Sequence, residues 1–246
     1  MKNDFISAVA EGLSGAGVFH WMVFDSEGDV ISLMPGPSAH DVCKVSAYTE
    51  RVEDELIEKL SEAHCVLGCV AWLTNFRILC ALSKLYTVHI VVQKEDFLRP
   101  DPDSSGTWKT RLREAYAALP DCLYRYEIPF CGHISYCGSN DFGSVRCAGG
   151  HNRDRLPAFP RMHHKFLIFC SVDRESGWQP CVRPYAVWTG SFNMTHNSER
   201  SRENAVYIES PAIAWMYLAE FAGVLSISEP LDWEEDWVEP EWRIGS

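Results

Sequence analysis

A single α/β domain, built on a mixed, mostly parallel sheet flanked by helices, is the fold class that three observations predict. The run from Val66 to Leu73 is apolar throughout, as in a strand buried on both faces. Helix-period segments alternate with short β-branched runs on either side of it, which is the pattern of βαβ units. The chain of 246 residues is long enough for one sizeable domain of this type with extensions, and too short for two. The expected division is an N-terminal β-like extension at 1–50, the main domain at 51–228 and an acidic, Trp-rich tail at 229–246.

In the first fifty residues, Gly17 to Phe24 is β-like, Asp25 to Asp29 is a turn signal and Val30 to Met34 can return as a hairpin partner. Val52, Leu56, Ile57, Leu60 and Ala63 recur at helical spacing and lead into the central strand. Thr74 or Asn75 caps a second helix, with Phe76, Leu79, Cys80, Leu82 and Leu85 apolar, and Val88 to Val92 reads as its following strand. Trp108, Leu112, Ala115, Tyr116 and Leu119 give a third helix that Pro120 stops, and Leu123 to Ile128 a strand. The segment from Pro129 to Pro160 is long and glycine-rich, and is expected to be an irregular functional loop or a small inserted subdomain. Further on, Ser210-Pro211 opens a helix with Pro at its first position, and Ile213, Met216, Tyr217, Phe221 and Val224 form its buried stripe.

The formal charge of −12 argues against a protein that coats nucleic acid through its overall field. The charge is unevenly placed, however. From Glu229 onward seven carboxylates face Arg243 alone, whereas between Arg146 and Lys165 the cations Arg146, Arg153, Arg155, Arg161 and Lys165 face only Asp154. A local anion-attracting mouth on an acidic body is the expectation, with the tail as a candidate intramolecular mimic of a polyanion. The ten cysteines, with no secretory signal evident, read as reduced intracellular thiols, and a cytoplasmic protein is expected. No apolar run approaches the ~18 to 20 residues that span a bilayer.

The chemistry-bearing stretch is Met162 to Asn193, with a sequel at Glu203. Met162-His163-His164-Lys165 runs directly into the apolar Phe166 to Phe169, so His163 and Lys165 share one face and His164 points the other way. A second run, Tyr185 to Trp188, ends in Thr189-Gly190-Ser191-Phe192-Asn193, where Gly190 permits a turn and Ser191 and Asn193 supply neutral hydrogen-bonding groups. Glu203-Asn204 then precedes a third strand-like run, Ala205 to Ile208.

These three pieces resemble the catalytic motif of the phospholipase D superfamily, the HKD phosphodiesterases. The resemblance is specific in Met-His-His-Lys-Phe and Thr-Gly-Ser-Phe-Asn-Met-Thr and coarser from Val52 to Ile208. It departs in two places. The motif usually carries an Asp five residues after the Lys, where this chain has Cys170, and the connection from Cys170 to Gly190 is longer than usual, as if Asp173 to Pro184 held an inserted surface loop.

The resemblance implies a phospholipase D-like fold and a hydrolase that uses no metal or other cofactor. His163 would attack phosphorus to form a phosphohistidine, Lys165 and Asn193 would hold the non-bridging oxygens, Ser191 would fix the geometry, and Glu203 would orient His163 through its other ring nitrogen. Arg146, Arg153, Arg155 and Arg161 are the expected substrate-steering cations. Because one chain carries one motif, a homodimer is expected to complete the site. Nucleic acid, DNA or RNA, is the favoured substrate and an endonuclease the favoured activity. A cardiolipin-type phospholipid phosphodiesterase and a silent phosphate-binding module are the alternatives. The branch of the superfamily acting on cardiolipin or small-RNA precursors has a similar motif start but usually an N-terminal membrane segment, which is not expected here. Cys131, His133, Cys137, Cys147 and His151 lack a C-x2-C pair and read as free thiols and loop polar groups rather than a zinc site. His196 reads as a turn residue.

Overall fold

The computed structural model describes residues 21–24, 30–34, 43–94, 107–121, 125–128, 132–135, 143–150, 161–173 and 181–231. Strands β1 (Trp21–Phe24) and β2 (Val30–Met34) pair antiparallel as a separate hairpin, as their flanking turn residues predict. The main sheet begins with β3 (Lys44–Tyr48). Helix α1 (Val52–Ser61), strand β4 (Cys65–Val70), helix α2 (Phe76–Leu82) and strand β5 (Thr87–Gln93) follow. Next come α3 (Thr107–Ala117), β6 (Arg125–Ile128), β7 (Gly132–Ser135) and β8 (Val145–Ala148). The chain continues with β9 (Lys165–Asp173), β10 (Cys181–Gly190), a 3₁₀ turn at His196–Arg200, β11 (Ala205–Glu209), α4 (Pro211–Ser226) and β12 (Glu229–Pro230).

The strand order is β12-β8-β5-β4-β9-β10-β11-β3, with the β6–β7 pair attached to β10. The sheet is mixed but mostly antiparallel, and this corrects the expectation of a mostly parallel one. β4, β5 and β8 run parallel, as a βαβ crossover through α2 requires. β9 then inserts antiparallel to β4, and β9, β10, β11 and β3 continue as an antiparallel set. The apolar runs looked alike in sequence because β4, β5 and the middle of β9 are buried on both faces whichever way they run. Two further readings change. β8 lies inside the stretch expected to be irregular and pairs with β5. β10 begins at Cys181, four residues before the expected run, and its register shifts between Pro184 and Ala186, where proline has no N–H to give to the ladder. β3 and β12 show that the sheet also takes strands from outside 51–228.

Apolar side chains fill both faces of the sheet. On one, Val66, Val70, Val88, Ile90, Leu167, Phe169 and Trp188 pack against Leu56 and Leu60 of α1, Ile78 and Leu82 of α2, and Leu112 and Tyr116 of α3. On the other, Leu67, Val91, Phe166, Ile168 and Val187 meet Leu218, Phe221 and Leu225 of α4. Each such fully buried side chain contributes roughly 1.5–3 kcal/mol, so a dozen of them fix the strand ends whatever the loops do. Cys170 sits in this second core directly across from Cys65 of β4, and burial pushes its thiol pKa up. Asn75 caps α2 by accepting from the amides of Arg77 and Ile78, and Ser210 caps α4 with Pro211 in its first turn. Among the described residues no helix is long and apolar enough to cross a membrane.

Candidate active site at the open end of the sheet

Sheet register gathers the motif pieces. Phe166 pairs with Thr189 and Thr189 with Val206, while Gly190 pairs with Ala205 and Val70 with Lys165. The start of β9, the end of β10, the start of β11 and the end of β4 therefore meet at one end of the sheet. Gly190 is required there. A Cβ at this position would lie 2.2 Å from the Asn204 carbonyl oxygen and 2.7 Å from Ala205 Cα. That close approach lets the Ser191 amide donate to the Asn204 carbonyl at 3.0 Å, and the Asn204 amide to Ser191 Oγ at 3.1 Å.

His163 and Lys165 share a face as their spacing predicts. Lys165 Nζ lies 3.0 Å from Nδ1 and 2.9 Å from Nε2 of His163, and donates to the His163 carbonyl oxygen at 2.9 Å. An ammonium can donate to the ring only while the imidazole is neutral, and then only to the nitrogen that carries no proton. The electrostatics keep it so: partial burial, then the charges of Lys165 and Arg161 and the neighbouring His164, hold the His163 pKa below its ordinary value. Lys165 is itself held below the usual lysine range by burial, with Glu203 opposing and Arg161 assisting. Because Glu203 acts on Lys165, the β11 carboxylate and the β9 ammonium belong to one electrostatic site. His164 points to the opposite layer, 3.0 Å from Glu220 of α4 and edge-on to Phe166.

Among the described residues Glu203 makes no hydrogen bond to His163: its carboxylate accepts from Ser191 Oγ at 2.5 Å, and the His163 ring nitrogens lie against Lys165 Nζ. Asn193 bonds to neither His163 nor Lys165, and its buried carboxamide oxygen has no hydrogen-bond partner. Part of its hydrogen-bonding capacity is therefore unused in the free protein.

Of the expected steering cations, Arg161 is exposed and acts on both His163 and Lys165. Arg146 instead donates to the Ser228 hydroxyl at 2.6 Å and carbonyl at 2.7 Å, tying β8 to the segment after α4. Arg153 and Arg155 lie outside the described residues, as do Cys131, Cys137, His151 and the tail beyond Leu231. The backbone of His133 lies in β7. Cys147, the remaining member of that Cys/His set, is buried, with its thiol facing the Glu229 and Pro230 carbonyls and its pKa raised to about 12 by burial. His196 is exposed in the 3₁₀ turn.

Sequence reasoning missed Trp72. It follows β4, where its indole stands edge-on to His163 with ring centroids 5.6 Å apart and lies 6.0 Å from Lys165 Nζ. Its signal was position: the residue just beyond the C-terminal end of a central parallel strand is where α/β folds place site residues. It was hidden because Trp72 continues an apolar run.

No family model matches this sequence. Over 199 residues, 77% of this chain and 68% of the relative, it is 34% identical to the uncharacterized protein L381 of Acanthamoeba polyphaga mimivirus. The chain belongs to the family of this viral protein. Among solved structures it is similar to NucT from Helicobacter pylori, with a TM-score of 0.49 and 14% identity over 77% of this chain and 99% of that one. It is also similar to Nuc of Salmonella typhimurium, a phospholipase D family member, with a TM-score of 0.44 and 17% identity over 78% and 98% of the two chains. The phosphatidylserine synthase of Haemophilus influenzae Rd KW20 gives a TM-score of 0.39 and 13% identity over 93% of this chain and 46% of that one. These are likenesses of fold outline.

Proposed function

We propose that this protein is a metal-independent phosphodiesterase of the phospholipase D type that hydrolyses nucleic-acid phosphodiester bonds through a phosphohistidine. The observation that carries the reading is the contact of Lys165 Nζ with the His163 imidazole at 2.9–3.0 Å, at a strand end that also presents Ser191, Asn193 and Glu203. A phosphodiester repels nucleophiles with its own negative oxygens. A neutral imidazole beside a fixed cation answers both needs, attack and charge stabilisation.

In the proposed sequence a ring nitrogen of His163 forms a bond to phosphorus as the phosphorus–oxygen ester bond breaks. Lys165 holds a non-bridging oxygen, and the side-chain NH2 of Asn193 donates to another. The leaving alkoxide takes a proton from a second imidazole. One imidazole cannot be nucleophile and acid in the same step, so His163 of a second copy, protonated while the attacking ring is neutral, supplies it, in a two-fold homodimer. Water then attacks phosphorus, releases the phosphomonoester and restores His163, and its proton returns to the second imidazole. Ser191 and Glu203, bonded to one another and to the backbone of Asn204, set the wall of the pocket. Arg161, the exposed cation felt by both reacting groups, meets the approaching polyanion, which favours nucleic acid.

The test is turnover in excess EDTA on single-stranded DNA, duplex DNA, RNA, cardiolipin vesicles and bis-(p-nitrophenyl) phosphate. Cleavage of a nucleic acid, with at least about a thousand-fold loss in His163→Ala and an acid-labile phosphoryl adduct in the parent protein, is the expected result. Strict dependence on Mg²⁺ sinks the mechanism, turnover of cardiolipin alone moves the substrate to lipid, and binding without turnover makes the protein a silent module.

A further inference from the structure

The geometry points to Trp72 as a positioning residue. Its indole braces the His163 imidazole against the Lys165 ammonium. The inference rests on the phosphodiesterase reading for its kinetic consequences, but its structural part stands alone.

The backbone around Trp72 is fixed on both sides. Ala71 donates its amide to the His164 carbonyl at 2.8 Å and accepts from the Gln93 amide at 3.1 Å. Leu73 bridges to Met194, its carbonyl accepts from the buried Tyr116 hydroxyl at 2.6 Å, and the amides of Thr74 and Asn75 both donate to the Met194 carbonyl. One short loop is thus stitched to the segment before β9, to β5, to α3 and to the segment after β10. The Cα from which the Trp72 side chain springs is thereby held in place.

His163, by contrast, is exposed and lies just before β9, with no ladder bond of its own. Its ring meets Lys165 Nζ at 2.9–3.0 Å and the Trp72 indole at 5.6 Å between centroids. Edge-to-face packing at 5.6 Å is a favoured aromatic geometry, and a cation 6.0 Å from the ring centroid lies at the outer limit of attraction to the indole face. Trp72 therefore touches both members of the reacting pair from a rigid support. Burial is also the largest cause of the lowered His163 pKa, ahead of Lys165, Arg161 and His164.

The experiment follows the His163 imidazole resonances by NMR against pH in Trp72→Ala, Trp72→Leu and Trp72→Phe, beside kcat, KM and the pH–rate profile on the best substrate. In Trp72→Ala the ring should titrate at higher pH, and kcat should fall roughly 10- to 100-fold with KM within about threefold. Trp72→Phe, which keeps an aromatic face, should restore most of both, and Trp72→Leu should not. If Trp72→Ala fails to fold, the Leu and Phe pair carries the same contrast. An unchanged His163 titration with unchanged kcat overturns the inference, as does Trp72→Phe being as impaired as Trp72→Leu. Because the titration needs no substrate, it can succeed where no turnover is found, and its failure is distinct from failure of the enzymatic reading.

Discussion

His163 and His89 lie at opposite ends of the same sheet, and in both burial is the leading cause of a lowered pKa. At the closed end His89 is 1% exposed on β5, its Nε2 3.3 Å from Asp121 and 3.5 Å from the Thr87 hydroxyl, and its pKa falls to about 4. At the open end His163 is exposed, partnered by a lysine and felt by an arginine. The His89 ring is itself buried and offers substrate no approach, so its lowered pKa is a structural consequence. A depressed imidazole marks a functional site only when access and neighbouring cations come with it.

The comparison breaks most visibly if the open end proves structural. Lys165→Met should lower turnover about a thousand-fold, while the midpoint of urea unfolding moves by less than the equivalent of about 1 kcal/mol, because the ammonium is only half-buried and its partners are at the surface. A large loss of stability would put Lys165 with His89. The closed end makes the opposite prediction. His89 is neutral in the fold and regains its ordinary value near 6.5 on unfolding, so the unfolded chain binds the extra proton between those values. Stability is complete above about pH 6.5 and is lost as pH falls towards about 4, by an amount of order 3 kcal/mol. Urea unfolding followed between pH 7 and 4.5 measures this slope, and His89→Gln should flatten it without changing turnover.

Much of this arrangement could be read from the chain. Period and capping residues placed α1, α2 and α4, because Asn75 and Ser210-Pro211 act locally. The His163-x-Lys165 spacing put both side chains on one face because strand alternation is local too. Strand direction was not legible: β9 is as apolar as β4 and β5, and whether it enters parallel or antiparallel depends on connections far away in sequence. The partner of Glu203 was not legible either. Its carboxylate lies at the Gly190–Asn204 close approach, where Ser191 reaches it first. Trp72 escaped notice because apolar periodicity cannot tell a core residue from one at the strand's mouth.

A third residue sharpens the contrast. Lys94, 1% exposed at the end of β5, contacts Glu229 of β12 at 2.5 Å. Glu229→Gln leaves a buried ammonium without its carboxylate. Loss of a fully buried pair costs about 3–5 kcal/mol, and since the Glu229 side chain is 45% exposed, a smaller figure of about 2 kcal/mol is expected. Thermal denaturation checks it. Turnover should follow the folded fraction, and a specific kinetic defect would extend the functional end of the sheet to β12.

The smallest effect tests the open end most finely. Arg161 is exposed and lowers the pKa of both His163 and Lys165 through space. Arg161→Gln removes that cation, so His163 should hold its proton to higher pH and the acid limb of the pH dependence of kcat/KM should move upward. The direction is fixed by sign: a nearby positive charge opposes protonation of the imidazole, and taking it away favours protonation. The displacement should shrink as salt is raised from 0.05 to 0.5 M, because screening over about 10 Å at 0.1 M weakens an exposed charge. His89 should show no such dependence, since its shift comes from burial, which salt does not screen. A salt-insensitive displacement at His163 would mean that Arg161 acts by packing, and the two histidines would then differ in access alone.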